Sequence, residues 1–414
     1  MKITGEMRVP GDKSISHRAF MLGALAQGAT LVRGALDSLD IQSTVHALRS
    51  LGASMEKKDR DWCITGGGLR EPEAVIDAGN SGTTARLLSG ICAGVAGLTV
   101  MTGDSSLIKR PMARVIRPLE GMGASFLARQ GRFLPMAIRG GDLRGISFDL
   151  EVASAQVKSA ILLAGLKAEG ITAVTEPSLS RDHTERMLGH FGARIERHGT
   201  SVSIHGPQEI SAREVSVPGD PSSAAFPAVL AAAVPGSELL LKDICLNPTR
   251  TGFIPVLQRM GARIALQNIR EDSGETVGDI LVTGCGLTGT TIGGDEIPRL
   301  IDELPILAVA ACFANGTTVI RDASELRVKE TDRIGALSRG FASLGAQVEE
   351  TPGGLVIDGP LSFRAGPVQT FSDHRIAMSF FILSRIAGIE VDLDDTQCAG
   401  ISFPGFFSLM EECR

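Results

Sequence analysis

Several short motifs in this chain combine positive side chains with small polar residues at places where a helix would begin. Gly11-Asp-Lys-Ser-Ile-Ser-His-Arg18 puts Lys13, Ser14 and Arg18 where they could face one anion. Asp77-Ala-Gly-Asn-Ser-Gly-Thr-Thr-Ala-Arg86 is a glycine-rich turn around Gly82 that lets a ligand approach free backbone N–H groups. Gly103-Asp-Ser-Ser-Leu-Ile-Lys-Arg-Pro-Met112 places Lys109 and Arg110 just before a proline that can open a helix. Ser154-Ala-Gln-Val-Lys158 and Arg181-Asp-His-Thr-Glu185 are further polar helix starts, holding Ser154, Gln156, Lys158 and Arg181. Leu326-Arg-Val-Lys-Glu-Thr-Asp-Arg333 sets Glu330 and Arg333 three residues apart on one helix face, next to Lys329. Asp373-His-Arg375 closes the series. A cation at a helix N-terminus opposes the macrodipole, unless an anion sits there and binds both the N–H groups and the cation. The chemistry implied is recognition of phosphates or carboxylates. Asp302 and Glu303 open an otherwise apolar run, and a carboxylate beside buried apolar surface is suited to act as a base.

Each motif has a plainer reading. Lys109-Arg110 could be a solvated loop, Arg327–Arg333 a charged helix face, and Arg181 with Glu185 a structural pair at i,i+4. A phosphate-binding P-loop is a weak reading of the first motif, where Asp12 stands in place of the glycine that loop needs.

Composition narrows the class. The 414 residues are 43% hydrophobic and 21% charged, with a net charge of −6, which fits a globular chain of two domains and argues against broad nucleic-acid binding. One Trp and no Tyr argue against stacking platforms. The cysteines at 63, 92, 245, 285, 312, 398 and 413 show no CxxC spacing and read as small hydrophobes in a reducing compartment. The start lacks the apolar core of a signal peptide, and the longest apolar runs, Ala224–Val234 and Leu304–Ala314, are about half of the ~20 residues a membrane span needs. Both runs read as core helices.

The elements that must position these motifs repeat. An apolar residue followed by Gly-Ala recurs at Leu51, Met122, Phe191, Met260 and Leu344, each time before a hairpin that closes in an apolar-x-Gly pattern at Gly66, Gly140, Gly206, Gly284 and Gly359. The polar helix starts alternate with this signal. Their markers Ser14, Ser81, Ser154, Ser222, Glu303 and Asp373 lie 67, 73, 68, 81 and 70 residues apart. The chain therefore reads as six copies of a unit with two helices and about four strands.

As a set, in this order and at these distances, the motifs resemble the 5-enolpyruvylshikimate-3-phosphate synthase family of 3-phosphoshikimate 1-carboxyvinyltransferases, across essentially the whole chain. The resemblance implies an α/β (α+β) fold of two inside-out α/β barrel domains with three repeats each. Residues 13–218 would form the first, and residues 1–12 with 219–414 the second, with hinges near 12 and 219 and the active site in the cleft between them. It implies transfer of the enolpyruvyl group of phosphoenolpyruvate to the 5-hydroxyl of shikimate 3-phosphate, with release of phosphate. Lys13, Ser14, Arg18, Ser154, Gln156, Arg181, Asp302 and Lys329 would hold shikimate 3-phosphate, and Lys13, Gly82, Arg110, Gln156, Arg333 and Arg375 would hold phosphoenolpyruvate. Asp302 would take the hydroxyl proton, Glu330 would protonate the methylene carbon, and Lys13 would stabilise charge. No metal or other cofactor, nucleic acid or membrane is implied; a cytoplasmic monomer is, with glyphosate as an inhibitor. Ser-Ala-Gln-x-Lys (154–158), Arg-x-His-x-Glu (181–185) and Asn247-Pro-Thr-Arg250 resemble the family's second, often glyphosate-tolerant subgroup. Gly82 points away from tolerance, and Ile401 stands where many first-subgroup members have Lys. The alternatives are the sister transferase acting on UDP-N-acetylglucosamine, whose usual Cys is missing from 104–114, and a non-catalytic binder of anionic metabolites on the same scaffold.

Overall fold

The computed structural model describes residues 2–412 and is a mixed α/β protein. It divides into two compact units. The first is Gly11–Val217 with Glu271–Glu275; the second is Met1–Pro10, Pro218–Arg270 and Thr276–Arg414.

The middle repeat of the first unit shows the building plan. Strand Ile76–Asp77 leads through helix α3 (Gly82–Ala93) to a parallel partner, Gly97–Thr102. Helix α4 (Ala113–Gly121) then leads to the antiparallel hairpin Ser125–Arg129 and Phe133–Gly140, whose second strand pairs with Gly97–Thr102. A helix joins the parallel strands because they need a crossover, and the hairpin strands need only a turn. The flanking repeats follow the same order with α1 (Lys13–Leu25) and α2 (Leu39–Ser50), and with α5 (Ala155–Gly165) and α6 (His183–His190). Two opening strands come from far along the chain. Glu214–Ser216 pairs with Ala29–Arg33 in the first unit, and Thr4–Met7 pairs with Glu238–Cys245 in the second.

The second unit repeats the plan with α7 (Pro221–Ala233) and α8 (Phe253–Arg259), then with the short α9 (Ile297–Leu300), α10 (Leu304–Cys312) and α11 (Arg333–Ser343). The last copy departs from the expected four strands. Helix α12 (His374–Ala387) joins Gly366–Val368 to Val391–Leu393 in a two-stranded sheet, and α13 (Phe406–Glu412) follows where the hairpin would be. The sequence carries no sixth Gly-Ala signal there. Instead Phe403, Phe406 and Phe407 pack with Phe226 and Phe381 at ring separations of 5.0–5.7 Å.

The two apolar runs are core helices. α7 and α10 are buried along their length and pack with α12. In the first unit α3 packs on α5, closely enough that a Cβ on Gly90 would lie 2.1 Å from the carbonyl oxygen of Ala160. Cys92, Cys245, Cys312 and Cys398 are buried as expected of small hydrophobes, while Cys285 is exposed and Cys413 lies outside the described residues. Among the described residues no helix is long and apolar enough to cross a membrane.

The Gly-Ala signal is a helix stop. Gly192 has φ +91°, its N–H bonds the carbonyl of Gly189, and the N–H of Ala193 bonds that of Leu188 at 2.9 Å. The same pair of bonds closes α2, α4, α8 and α11, and satisfies carbonyls that a helix end leaves open. The closing glycines answer a different need. At Gly140 a Cβ would sit 2.2 Å from the carbonyl oxygens of Cys92 and Val95 at the end of α3. The two glycines should therefore fail differently. Gly192→Ala has open space and meets only backbone strain, about 1–2 kcal/mol. Gly140→Ala must displace backbone and should cost about 3 kcal/mol or more. Urea unfolding midpoints check the order, and equal losses would contradict it.

Candidate active site

The sequence-predicted residues lie at or just before helix starts, within one unit or the other, and six of these starts carry the polar markers Asp12, Ser81, Ser154, Asp220, Glu303 and Asp373. Five of those six starts are capped by a side chain. Asp12, Ser81, Ser154, Asp220 and Asp373 each accept a bond from a backbone N–H of the first turn, which satisfies donors the helix leaves open. The sixth residue, Glu303, makes no such cap.

In the first unit, Lys13 opens α1, and its Nζ lies 3.2 Å from Asp40 Oδ2 on α2. Ser14 beside it is half-buried. Arg18 is buried, and its three nitrogens donate to Thr184 Oγ1 on α6 at 2.7 Å, the Ser14 carbonyl at 2.9 Å and Ser159 Oγ on α5 at 2.9 Å. All three acceptors are neutral. Burial pulls the Arg18 pKa down to about 10. Arg18 thus ties α1 to α5 and α6.

A second group forms around the start of α3. A Cβ on Gly82 would lie 2.7 Å from one nitrogen of Arg86 and 3.6 Å from one of Arg110. Arg86 donates to Gln156 Oε1 at 2.8 Å, and Gln156 Nε2 donates to Thr83 Oγ1 at 3.0 Å. Arg110 donates to Asn80 Oδ1 at 3.0 Å and Ser106 Oγ at 3.2 Å. Gly82, Arg110 and Gln156 are therefore neighbours, as their shared assignment requires. Arg86 belongs with them and was missed as a site residue, although it closes the glycine-rich motif. Asp40 was missed too, since nothing in its local sequence marks it. Ser154 caps α5, and Arg181 is half-buried just before α6.

Lys158 differs from the sequence reading. It is buried, with its ammonium 2.6 Å from Glu176 and 2.8 Å from Glu185. A buried charge must be paired, and this one is part of the packing. Glu185 is held by Lys158, and Asp182, just before α6, pairs with Arg186 at i,i+4 and 2.8 Å.

In the second unit, Arg333 opens α11 with an exposure of 1% and is surrounded by acids. Its Nε donates to Asp373 at 2.8 Å, and its two other nitrogens reach Glu330 at 2.6 Å and Asp302 at 3.4 Å. Burial works against this charge. Asp373, Glu330 and Asp302 outweigh it and hold the guanidinium above its ordinary pKa. Asp302 also faces Lys329 at 3.5 Å and Arg375 at 3.8 Å. Arg375 donates to the Asp302 carbonyl at 2.8 Å and lies 3.7 Å from Glu303. Asp302, Lys329, Glu330, Arg333 and Arg375 thus form one constellation. Three cations here face Asp302, Glu303, Glu330 and Asp373.

The arrangement matches known proteins along its whole length. The profile of EPSP synthase (3-phosphoshikimate 1-carboxyvinyltransferase) matches residues 1–410. This chain belongs to the EPSP synthase family. A 3-phosphoshikimate 1-carboxyvinyltransferase of Geobacter metallireducens is 51% identical, covering 99% of this chain and 96% of that one. One of Desulforamulus reducens is 50% identical, covering 99% and 97%. The solved EPSP synthase of Acinetobacter baumannii superposes with a TM-score of 0.89 at 42% identity, over 100% of this chain and 96% of the other. Within this EPSP synthase scaffold the α/β repeats carry the sequence-predicted residues at or just before helix starts.

The first-unit site also rests on a buried hydroxyl chain. His17 Nδ1 shares a hydrogen bond with Thr44 Oγ1 at 2.7 Å, Thr44 with Thr84 Oγ1 at 2.7 Å, and Thr84 donates to Ser81 Oγ at 2.8 Å. It joins α1, α2 and the start of α3. Burial, then Lys13 and Arg18, hold the His17 pKa well below 6.5. The unfolded chain takes up a proton near 6.5 and the folded chain does not, so stability falls as pH drops below 6.5. Between pH 7 and 5 the protein should lose roughly 2 kcal/mol more than His17→Asn, measured by urea unfolding; parallel losses would show that His17 titrates normally.

Proposed function

We propose that this chain transfers the enolpyruvyl group of phosphoenolpyruvate to the 5-hydroxyl of shikimate 3-phosphate and releases phosphate. The observation that carries the reading is that Asp302 and Glu330 share one buried guanidinium, that of Arg333, at 3.4 and 2.6 Å. Two carboxylates fixed by one cation can divide the work of a base and an acid.

In this reading Arg333, Arg375, Arg110, Gln156, Lys13 and the backbone at Gly82 hold phosphoenolpyruvate. Arginine forks suit its carboxylate and phosphate. Lys13, Ser14, Arg18, Ser154, Gln156, Arg181, Asp302 and Lys329 hold shikimate 3-phosphate. Asp302 accepts the proton of the 5-hydroxyl as its oxygen bonds to C2 of phosphoenolpyruvate. Glu330 gives a proton to C3, and Lys13 stabilises the charge that moves. The tetrahedral adduct then loses phosphate by C–O cleavage and a proton from C3, which restores the double bond. Both groups of residues serve the same pair of substrates, the reaction runs in the cytoplasm, and the enzyme is a monomer. Glyphosate, also an anion, competes at the same arginines.

A phosphate-release assay tests the reading. Release should require both substrates, and UDP-N-acetylglucosamine should not replace shikimate 3-phosphate. Asp302→Asn and Glu330→Gln should each lower kcat by about 10²–10⁴-fold. A protein that binds both anions yet releases no phosphate is a binder, and the proposal falls.

A further inference from the structure

We infer that Glu303 is a positioning residue for phosphoenolpyruvate, acting through Arg375, and that a buried chain from Asp220 through Arg250 and Ser222 holds Glu303 in place. The inference rests on the assignment of Arg375 to phosphoenolpyruvate made above.

All members of this chain lie in the second unit, and each is buried, from Glu303 at 1% exposure to Arg375 at 7%. Arg250 donates to Asp220 Oδ1 at 2.9 Å and to Ser222 Oγ at 2.9 Å. Ser222 has one hydroxyl proton, and it goes to Glu303 Oε1. Arg250 donates to that hydroxyl and the Glu303 carboxylate can only accept, so the Ser222 proton points to Glu303. The same Glu303 oxygen lies 3.7 Å from the Arg375 nitrogen that donates to the Asp302 carbonyl. One edge of the Arg375 fork is thus held by a carbonyl and a fixed negative charge.

The far end is rigid as well. Asp220 caps α7 by accepting from the Ser222 N–H at 2.8 Å, and its own N–H donates to the Pro10 carbonyl at 2.9 Å. Arg250 is placed by a turn in which the Asn247 carbonyl accepts its N–H at 2.8 Å. These contacts explain why Asn247-Pro-Thr-Arg250, far from the charged motifs in sequence, carries an arginine at 2% exposure. An arginine is rich in rotamers, and a ligand that must immobilise it binds more weakly. A held Arg375 meets the anion with that ordering already done. Glu303 does not touch the reacting atoms in this scheme, so its loss should appear in affinity for one substrate and leave the chemical step alone.

Steady-state kinetics on the full chain test this, with melting temperatures as a check on folding. Arg375→Lys should raise KM for phosphoenolpyruvate by more than tenfold. Glu303→Gln, which keeps an acceptor for Ser222 and removes the charge, should raise it three- to tenfold, with kcat and KM for shikimate 3-phosphate changed less than twofold. Glu303→Ala should raise it further, and Ser222→Ala should act in the same direction as Glu303→Gln. If Arg375→Lys raises KM and the Glu303 and Ser222 variants do not, the inference is wrong and the site assignment stands. If Arg375→Lys leaves KM unchanged, the assignment itself is wrong. If the Glu303 variants lower kcat and raise both KM values in step with a lower melting temperature, Glu303 is merely structural. Should Glu303→Ala not fold, the near-isosteric Glu303→Gln and Ser222→Ala decide the question.

Discussion

A guanidinium withdrawn from water has to be neutralised where it sits, and Arg333 at 1% exposure shows what that demands. Three carboxylates from separate places in the second unit converge on it. Asp373 comes from the cap of α12, Glu330 from the turn before α11 and Asp302 from the residues before α10. Their convergence fixes the orientation of Asp302 and Glu330. Lys329 and Arg375 then gather around Asp302. Removing the central cation would leave several acids close together, and their repulsion would open the constellation.

The repeat makes this convergence possible. The inner helices are α1, α3, α5, α7, α10 and α12, and five of their six starts are capped by a side chain. The outer helices end in glycine stops, and the hairpins end against carbonyls of the inner helices through glycines without room for a Cβ. Those constraints fix where each inner helix begins relative to its neighbours. Side chains distant along the chain, such as Arg86 and Gln156 or Asp302 and Arg375, therefore meet without any local sequence relation. The missing hairpin in the sixth copy shows how far the plan can bend when an aromatic cluster packs the space.

The two units solve the charge problem differently. In the second, Lys329, Arg333 and Arg375 are paired directly with carboxylates. In the first, Arg18 is held by neutral oxygens and Lys158 is buried between two glutamates. Arg86 and Arg110 are bonded to amides and a hydroxyl around Gly82. A guanidinium bonded to neutral groups keeps its positive field, so this second arrangement favours an incoming anion.

Sequence alone gave the periodicity, the helix stops at Gly-Ala, the core helices at Ala224–Val234 and Leu304–Ala314, and the charged motifs at helix starts. Those features are legible because caps, glycine stops and apolar runs depend on neighbours along the chain. It could not separate Lys158, neutralised inside the packing, from Lys13, or find Asp40, or see that Arg86 joins Gly82 and Arg110. Which cation is matched, and by which acid, is set by residues tens to hundreds of positions apart, and electrostatic pairing depends on distance in space. Only the packing of the helices decided that.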